Sequence, residues 1–201
     1  MMEIKKIEDK DLSDVLKVHK DSFKNFFLTK LGDEFLNIYY KSVKNDDHGI
    51  LLGIFDEDKL CGFCAGTTFS RGFNKRLILN NFFRFSIVGF WLLLSKPTSL
   101  IRLLKNLTKN DSSMLDSGKY AELLSIAVSE NKQGKGIGKK LLLELENEMK
   151  LKGCFKLSLT TDFYNNIKVI EFYKGLGYNI YYEFIAYPNR KMYRMIKDLQ
   201  E

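Results

Sequence analysis

The chain has 201 residues, enough for a domain with its own hydrophobic core, and we predict a single domain over residues 1–201. Apolar residues make up 45% of the chain and charged residues 28%, which excludes a disordered or fibrous protein. The formal net charge of +7 is compatible with a solvated basic surface or an anionic ligand. Nucleic acid is not expected as a partner, because no dense basic run or aromatic–basic motif occurs.

Five elements of regular structure are predicted before residue 70. Apolar residues that recur at every second position indicate strands, and those that recur at every third or fourth position indicate helices. The elements are a strand over Glu3–Ile7, a helix capped by Asp9 or Asp11 and running to Phe23, a helix after Gly32, and a hairpin of strands Ile50–Phe55 and Leu60–Phe69.

Residues 71–117 break this rhythm and are interpreted as an insertion between two strands. Their main feature is Phe82–Leu94, a nearly unbroken apolar stretch of 13 residues that contains Arg84. A membrane span needs about 20 apolar residues, so this stretch is too short to cross a bilayer. A basic amphipathic segment over 100–107 and a polar loop over 109–113 follow it.

Regular structure returns after the insertion, with a strand–helix–strand unit that carries several glycines. Gly and Pro positions set the predicted ends of its elements. In chain order these are a strand over Tyr120–Val128, a helix over Gly136–Lys152 closed by Gly153, a strand over Lys156–Thr161, a short helix over Asn166–Lys174 closed by Gly175 or Gly177, and a hairpin of Tyr178–Ala186 with Lys191–Ile196.

The loop between the first strand and the helix of this unit contains Gly134, Gly136 and Gly138. The first turn of a helix presents free backbone N–H groups, and the helix dipole adds about half a positive charge there. Glycines leave these donors open to a phosphate, and the neighbouring lysines add positive charge. The pattern therefore indicates a diphosphate site, although a tight turn that needs glycine only for its dihedral angles is the structural alternative.

Two common phosphate-binding motifs do not fit this loop. A dinucleotide-binding fingerprint would require a third glycine at the position of Lys139. A P-loop would require its first glycine at the position of Gln133 and a Ser or Thr at the position of Lys140. The loop instead resembles the acetyl-CoA loop of the GNAT superfamily of N-acetyltransferases, whose pattern is Arg/Gln-x-x-Gly-x-Gly/Ala, with Gln133 at its first position.

A second GNAT signature resembles the segment over 166–178. It contains Asn166, the aromatic pair Phe172-Tyr173 and the dipeptide Gly177-Tyr178, with Val169 where alanine is common in the family. The two motifs have a family-like separation, and the resemblance covers about residues 1–70 and 118–197. It implies an α/β fold with a mixed, mostly antiparallel sheet flanked by helices, to which this chain adds the hydrophobic insertion before the fourth strand.

The resemblance also implies acetyl-CoA as co-substrate and direct attack of an amine on the thioester in a ternary complex. An ammonium group cannot attack, so a base must accept its proton. Glu122 is the predicted base because it precedes Gln133 by eleven residues, as in several family members, and a carboxylate in an apolar strand is a stronger base than one in water. Tyr173 is the predicted acid, facing the CoA sulfur.

The cofactor contacts that the resemblance implies come from three places in the chain. Backbone N–H groups of the strand before the loop would bind pantetheine and polarise the thioester carbonyl. The glycine loop would bind the diphosphate, and an asparagine would bond the same arm. The predicted cofactor-binding residues are Ile126, Ala127, Val128, Gln133, Gly134, Lys135, Gly136, Ile137, Gly138, Lys139 and Asn166.

The cysteines and histidines do not indicate redox or metal chemistry. Cys61-Gly-Phe-Cys64 resembles a redox motif, but it lies in a predicted strand, where residues three apart face opposite sides. His19 lies on a helix stripe and is interpreted as a packed boundary residue. No cluster has the spacing of metal ligands, so no metal is expected. Three cysteines and no signal peptide favour a cytoplasmic protein.

Several functions stay open from the sequence alone. The leading hypothesis is an N-acetyltransferase for a primary amine of a small molecule, with an amino sugar as one candidate acceptor. The alternatives are an acetyltransferase for protein N-termini or lysines and a non-catalytic acyl-CoA-binding sensor. For Phe82–Leu94 we consider a core helix, a wall of the acceptor pocket or a homodimer contact, and membrane contact is the least favoured alternative. Acceptor, acyl-chain length and oligomeric state are not predicted.

Overall fold

Outside the insertion, the strands and the longer helices follow one another in the order that the sequence patterns predict. The computed structural model describes residues 2–108 and 116–200, and of 106–108 only the backbone. The strands are β1 Met2–Lys6, β2 Gly49–Asp56, β3 Lys59–Thr67, β4 Ala121–Val128, β5 Lys156–Asp162, β6 Asn179–Ala186 and β7 Arg190–Asp198. The helices are α1 Leu12–Ser22, α2 Phe27–Lys30, α3 Asp33–Asn45, α4 Phe73–Asn80, α5 Phe82–Ser95, α6 Pro97–Thr108, α7 Ile137–Leu151 and α8 Ile167–Lys174. The predicted polar loop over 109–113 lies outside the described residues.

The strands form one sheet in the order β1-β2-β3-β4-β5-β7-β6. Each pair of neighbours is antiparallel except β4 and β5, which are parallel. Parallel strands need a long crossover, and α7 provides it. The predicted α/β fold with a mixed, mostly antiparallel sheet is therefore confirmed.

Each face of the sheet has its own hydrophobic cluster. The cluster on one face joins the sheet to α1, α3 and α5 and includes the fully buried Tyr40 and Phe63. The cluster on the other face joins the sheet to α7 and α8. The predicted apolar stripe of α7 is buried throughout, which explains why this helix lies flat against the sheet; its residues are Ile137, Leu141, Leu142, Leu145 and Met149.

Asp11 precedes α1, as the sequence predicts, but it does not cap that helix. Its carboxylate accepts a hydrogen bond from the backbone N–H of Glu8, at 2.9 Å. This bond closes the single turn of 3-10 helix that leads into α1. The residues of α1 that are buried are Leu12, Val15, Val18 and His19.

The insertion between β3 and β4 consists of α4, α5 and α6. Only one stripe of α5 is buried, formed by Phe85, Val88 and Leu92, and it packs on α3, where the rings of Phe35 and Phe85 are 5.4 Å apart. Within the described residues, no single helix is long and apolar enough to cross a membrane. Helices α4 and α5 reach that length and apolarity only as a pair, bent by 96°.

Cys61 and Cys64 lie on β3, but they do not face opposite sides as predicted. Both pack into the cluster below α7. The pairing of β2 with β3 shifts at Ile54 and Phe55, which leaves Cys61 as an extra residue and reverses the alternation of side chains. Burial raises the pKa of the Cys64 thiol, so this cysteine is a packing residue and an unreactive one.

Candidate functional site

The two parallel strands at the centre of the sheet diverge after a short region of pairing. β4 and β5 pair only over Ala121–Leu123 and Leu157–Leu159. Beyond these residues both strands line a cavity of about 950 Å³. The edge of β4 that faces the cavity therefore offers backbone N–H and C=O groups that β5 does not use, and the volume is that of a small-molecule site.

A bulge in β4 sets the side chains that face this cavity. Gly66 pairs with Leu123 and Ala65 pairs with Ser125, so Leu124 is an extra residue without a partner on β3. Leu124 and Ser125 consequently lie on the same face of the sheet: Leu124 packs in the cluster of α1 and α3, and the hydroxyl groups of Ser125 and Tyr40 are 3.1 Å apart. A bulge next to a site of this kind redirects the strand.

Most of the predicted cofactor residues surround this cavity, together with Tyr173. Lys135 is the exception among them, because it is exposed on the loop and does not line the cavity. The predicted residues that do line it are Ile126, Ala127, Val128, Gln133, Gly134, Gly136, Ile137, Gly138, Lys139, Asn166 and Tyr173.

The start of α7 forms one end of the cavity. Gly134 and Gly136 have positive φ angles of 75° and 74°, a conformation that strains residues with a side chain. The first hydrogen bond of the helix runs from the backbone N–H of Lys140 to the carbonyl of Gly136, at 3.1 Å. Among the described residues no side chain caps this end. The amides of the first turn are therefore available to an anion.

Tyr173 and Asn166 line the opposite wall, on and before α8. Tyr173 is 7% exposed, and burial raises the pKa of its hydroxyl to about 12, so it is protonated at neutral pH. Asn166 precedes α8, and its amide donates hydrogen bonds to the hydroxyl of Thr161 at 2.6 Å and to the carbonyl of Asp162 at 3.1 Å. These bonds hold the start of α8 against β5.

Glu122 does not line the cavity in this structure. It lies on the same face of β4 as Leu124, two residues farther from the cavity. Its carboxylate accepts a hydrogen bond from the hydroxyl of Ser70 and another from the guanidinium of Arg194, at 2.6 Å. The ion pair with Arg194 is largely buried, with side-chain exposures of 11% and 15%.

His19 lines the cavity although the sequence analysis treats it as a packing residue. Its Nδ1 is hydrogen-bonded to the hydroxyl of Tyr40 at 2.7 Å, and that hydroxyl also contacts Ser125. Its Nε2 is buried and has no hydrogen-bond partner within the described part of the chain. Burial lowers the pKa of His19 to about 4, so the imidazole is neutral at pH 7.

The depressed pKa of His19 predicts a pH dependence of folding stability. The unfolded chain binds a proton at this histidine near pH 6.5, whereas the folded chain does so only near pH 4. The free energy of unfolding should therefore fall as the pH is lowered from about 6.5 to about 4, by a total on the order of 3 kcal/mol. Urea denaturation across this range, for the parent and for His19→Gln, measures the effect.

The matched control is His48→Gln, which removes an exposed histidine. This variant should keep the pH dependence of the parent, whereas His19→Gln should flatten it. If the parent and His19→Gln lose stability equally between pH 6.5 and pH 4, the imidazole of His19 is not the group responsible.

The end of the cavity away from α7 is lined by residues that the sequence analysis does not identify. Phe23, Phe26 and Phe27 come from the segment between α1 and α3. Arg190 comes from β7; its guanidinium lies 4.8 Å from the ring of Phe26 and pairs with Asp162 at 2.6 Å. A close run of phenylalanines is the only sequence signal for this wall, because its other parts come from distant segments. The described residues contain no group of three or more side chains that could hold a metal ion.

Comparison with known proteins identifies the family. The sequence profile of the Acetyltransferase (GNAT) family matches residues 12–178. No curated protein matches the chain by sequence. Among solved structures, the chain is similar to the ribosomal-protein-S18-alanine N-acetyltransferase from Escherichia coli, with 16% identity, a TM-score of 0.64 and coverage of 100% of this chain and 96% of that chain.

Two further solved structures show the same fold. An N-acetyltransferase from Staphylococcus aureus Mu50 has 17% identity, a TM-score of 0.66 and coverage of 100% and 99%. The PaiA N-acetyltransferase from Thermoplasma acidophilum, in complex with coenzyme A, has 18% identity, a TM-score of 0.55 and coverage of 98% and 99%. Because the family profile spans most of the chain and the fold agrees with it, the protein belongs to the GNAT family and is an acetyltransferase.

Proposed function

We propose that this acetyltransferase uses acetyl-CoA to acetylate a primary amine of a small molecule. The position of α6 is the observation that supports a small acceptor over a peptide. The guanidinium of Arg102 on α6 lies 4.8 Å from the ring of Phe27, and the ammonium of Lys105 lies 4.4 Å from the ring of Tyr187, between β6 and β7. Helix α6 therefore contacts both the segment between α1 and α3 and the turn between β6 and β7. Both segments lie beside the end of the cavity that we assign to the acceptor, and a peptide acceptor would need an open groove there.

The donor would occupy the other end of the cavity. We place its diphosphate on the first-turn amides of α7, between Gly136 and Lys139, where charge and free donors favour an anion. The pantetheine arm would run along the unpaired edge of β4, at residues 126–128. This arrangement puts the thioester carbonyl near the point where β4 and β5 diverge, with Tyr173 on the facing wall.

The reaction then follows as direct transfer. The ammonium group first loses a proton to a base, and the neutral amine attacks the thioester carbon. A C–N bond forms, the C–S bond breaks, CoA leaves as a thiolate, and the nitrogen gives up its second proton to solvent as the amide forms. Tyr173 would donate a hydrogen bond to that thiolate. Glu122 is our proposed base, on the strength of its family-like position. His19 is the second candidate, because it lines the cavity as a neutral imidazole at pH 7.

Thiol release from acetyl-CoA, measured with a panel of acceptors, tests this function. The panel contains amino sugars, polyamines, amino acids and lysine-containing peptides, and we expect release with a small amine and none with the peptides. Glu122→Gln should lower kcat by about a hundredfold, the usual contribution of a general base. Parent activity in Glu122→Gln together with its loss in His19→Gln would transfer the role of base to His19.

The same assay separates the two alternatives. Release that depends on peptide termini or lysines would favour a protein-modifying enzyme. If calorimetry shows that CoA binds and no amine supports release, the protein is a sensor of acyl-CoA and our proposal is wrong.

A further inference from the structure

One side of the insertion exposes an unusual number of large apolar side chains. Of the 21 such side chains that are exposed among the described residues, ten lie between residues 79 and 104. They form a cluster on α4, α5 and α6, whereas the others are spread over the molecule. Patches of this kind mark an interaction surface.

The centre of the cluster is the side of α5 opposite its buried stripe, which we call the outer face. At 100° per residue, its members project within about a quarter turn of one another. Phe83 is 84% exposed and Trp91 is 66% exposed, which are high values for aromatic side chains. The outer face consists of Phe83, Ile87, Phe90, Trp91 and Leu94.

The helical part of the insertion, residues 71–108, carries the whole net charge of the protein. Residues 71–108 contain seven basic residues and no acidic residue, and the formal net charge is +7. The remainder of the chain therefore has as many acidic as basic residues. Arg84 lies in the first turn of α5 and Lys96 directly after its last residue, so both ends of the outer face carry a cation.

The positive charge and the length of α5 together favour one kind of binding partner for the outer face. A second copy of the chain would bring Arg84 and Lys96 of the two outer faces together across an apolar contact, at a cost in electrostatic repulsion. An anionic lipid surface offers negative headgroups to the cations and acyl chains to the aromatic residues. A helix of 14 residues is about 21 Å long, shorter than the ~30 Å hydrocarbon core, so α5 would lie parallel to the surface.

We infer that the protein docks on anionic lipid bilayers through the outer face of α5, with the exposed cations Arg84 and Lys96 at the headgroups. The protein holds one tryptophan, Trp91, and this residue lies on the outer face, so its fluorescence reports the contact directly. Vesicles with phosphatidylglycerol should shift its emission to shorter wavelength, and brominated lipids should quench it. Vesicles of phosphatidylcholine alone should bind the protein at least about tenfold more weakly.

Two matched double variants distinguish binding through the outer face from nonspecific hydrophobic adsorption. Phe83→Glu with Phe90→Glu places two carboxylates on the outer face, opposite the buried stripe, and should lower vesicle partitioning at least about tenfold. Leu151→Glu with Phe155→Glu makes the same change of charge at two exposed apolar residues elsewhere and should leave partitioning unchanged. Raising the salt concentration from 0.1 to 0.5 M should weaken binding of the parent.

Failure of the parent to bind anionic vesicles overturns the proposal, and so does equal loss in both double variants. If the outer face instead mediates a dimer, the parent will not bind vesicles. Light scattering will then show that the Phe83→Glu, Phe90→Glu variant has half the mass of the parent. Binding of an acidic protein to the outer face, without binding to vesicles, would also contradict the proposal. Acetyl transfer can be assayed in solution, so vesicle binding and the proposed function can fail separately.

Discussion

Replacing Tyr173 with phenylalanine is expected to lower kcat for acetyl transfer by about a hundredfold while leaving the affinity for CoA unchanged. The hydroxyl is buried at the cavity wall, and its pKa of about 12 keeps it protonated at neutral pH, so it can donate to a developing thiolate. Phenylalanine keeps the ring, which packs on Phe172 and Tyr178 with centroids 5.2 and 5.8 Å away. Steady-state release of CoA measures the effect on kcat, and calorimetry measures the affinity.

Tyr181→Phe is the control for this prediction, because it removes the hydroxyl of an exposed tyrosine on β6. It should keep the activity of the parent. If Tyr173→Phe retains kcat within about threefold, the hydroxyl of Tyr173 does not assist departure of the thiolate.

Replacing Gly138 with glutamate is expected to raise the Kd for CoA by at least about a hundredfold, which corresponds to ~2.7 kcal/mol. Gly138 lies in the first turn of α7, where the free amides face the cavity. A carboxylate at this point would occupy the position of the diphosphate and repel it. The same carboxylate complements the helix dipole, so thermal stability should be kept or slightly raised. Calorimetry with CoA and a thermal melt test both parts.

Two further substitutions at this position separate charge from size. A Cβ atom at Gly138 would lie 3.9 Å from Val128 and 4.0 Å from Phe172, which are ordinary contacts, so Gly138→Ala should bind CoA nearly as well as the parent. Gly138→Gln has the size of glutamate without its charge and should give an intermediate Kd. Parent affinity in Gly138→Glu would mean that the diphosphate is held elsewhere.

The regular elements could be predicted from the sequence because their patterns are local. The stripe of α7 and the closing Gly153 define that helix without reference to the rest of the chain, and β2 and β3 differ from the predicted hairpin by only one or two residues. Helix α2 was not predicted, since its four residues are too few to show a period. The bulge at Cys61 was also missed, because it arises from pairing with β2 and not from the residues of β3.

The two ends of the cavity also differ in how far they could be predicted from the sequence. The glycine loop is a continuous segment, so its residues, apart from Lys135, could be assigned to the cavity from the motif alone. The end of the cavity that we propose for the acceptor brings together Phe26, Arg190 and Asp162, which are far apart in the chain, and no sequence pattern joins them. For α5 the limit is of another kind: a helix that is apolar on all sides gives no indication of which side will be buried.

The extra residue, Leu124, also determines which side chains of β4 face the helices on each side of the sheet. Odd-numbered residues of the strand point toward α7 up to Leu123, and even-numbered residues do so from Ile126 onward. In a strand of the same length without the bulge, strict alternation would turn Ser125 toward α7 and place Ile126 on the face of Tyr40. The hydroxyl pair that connects the cavity to α3 therefore depends on Leu124 and Ser125 lying on the same face of the sheet.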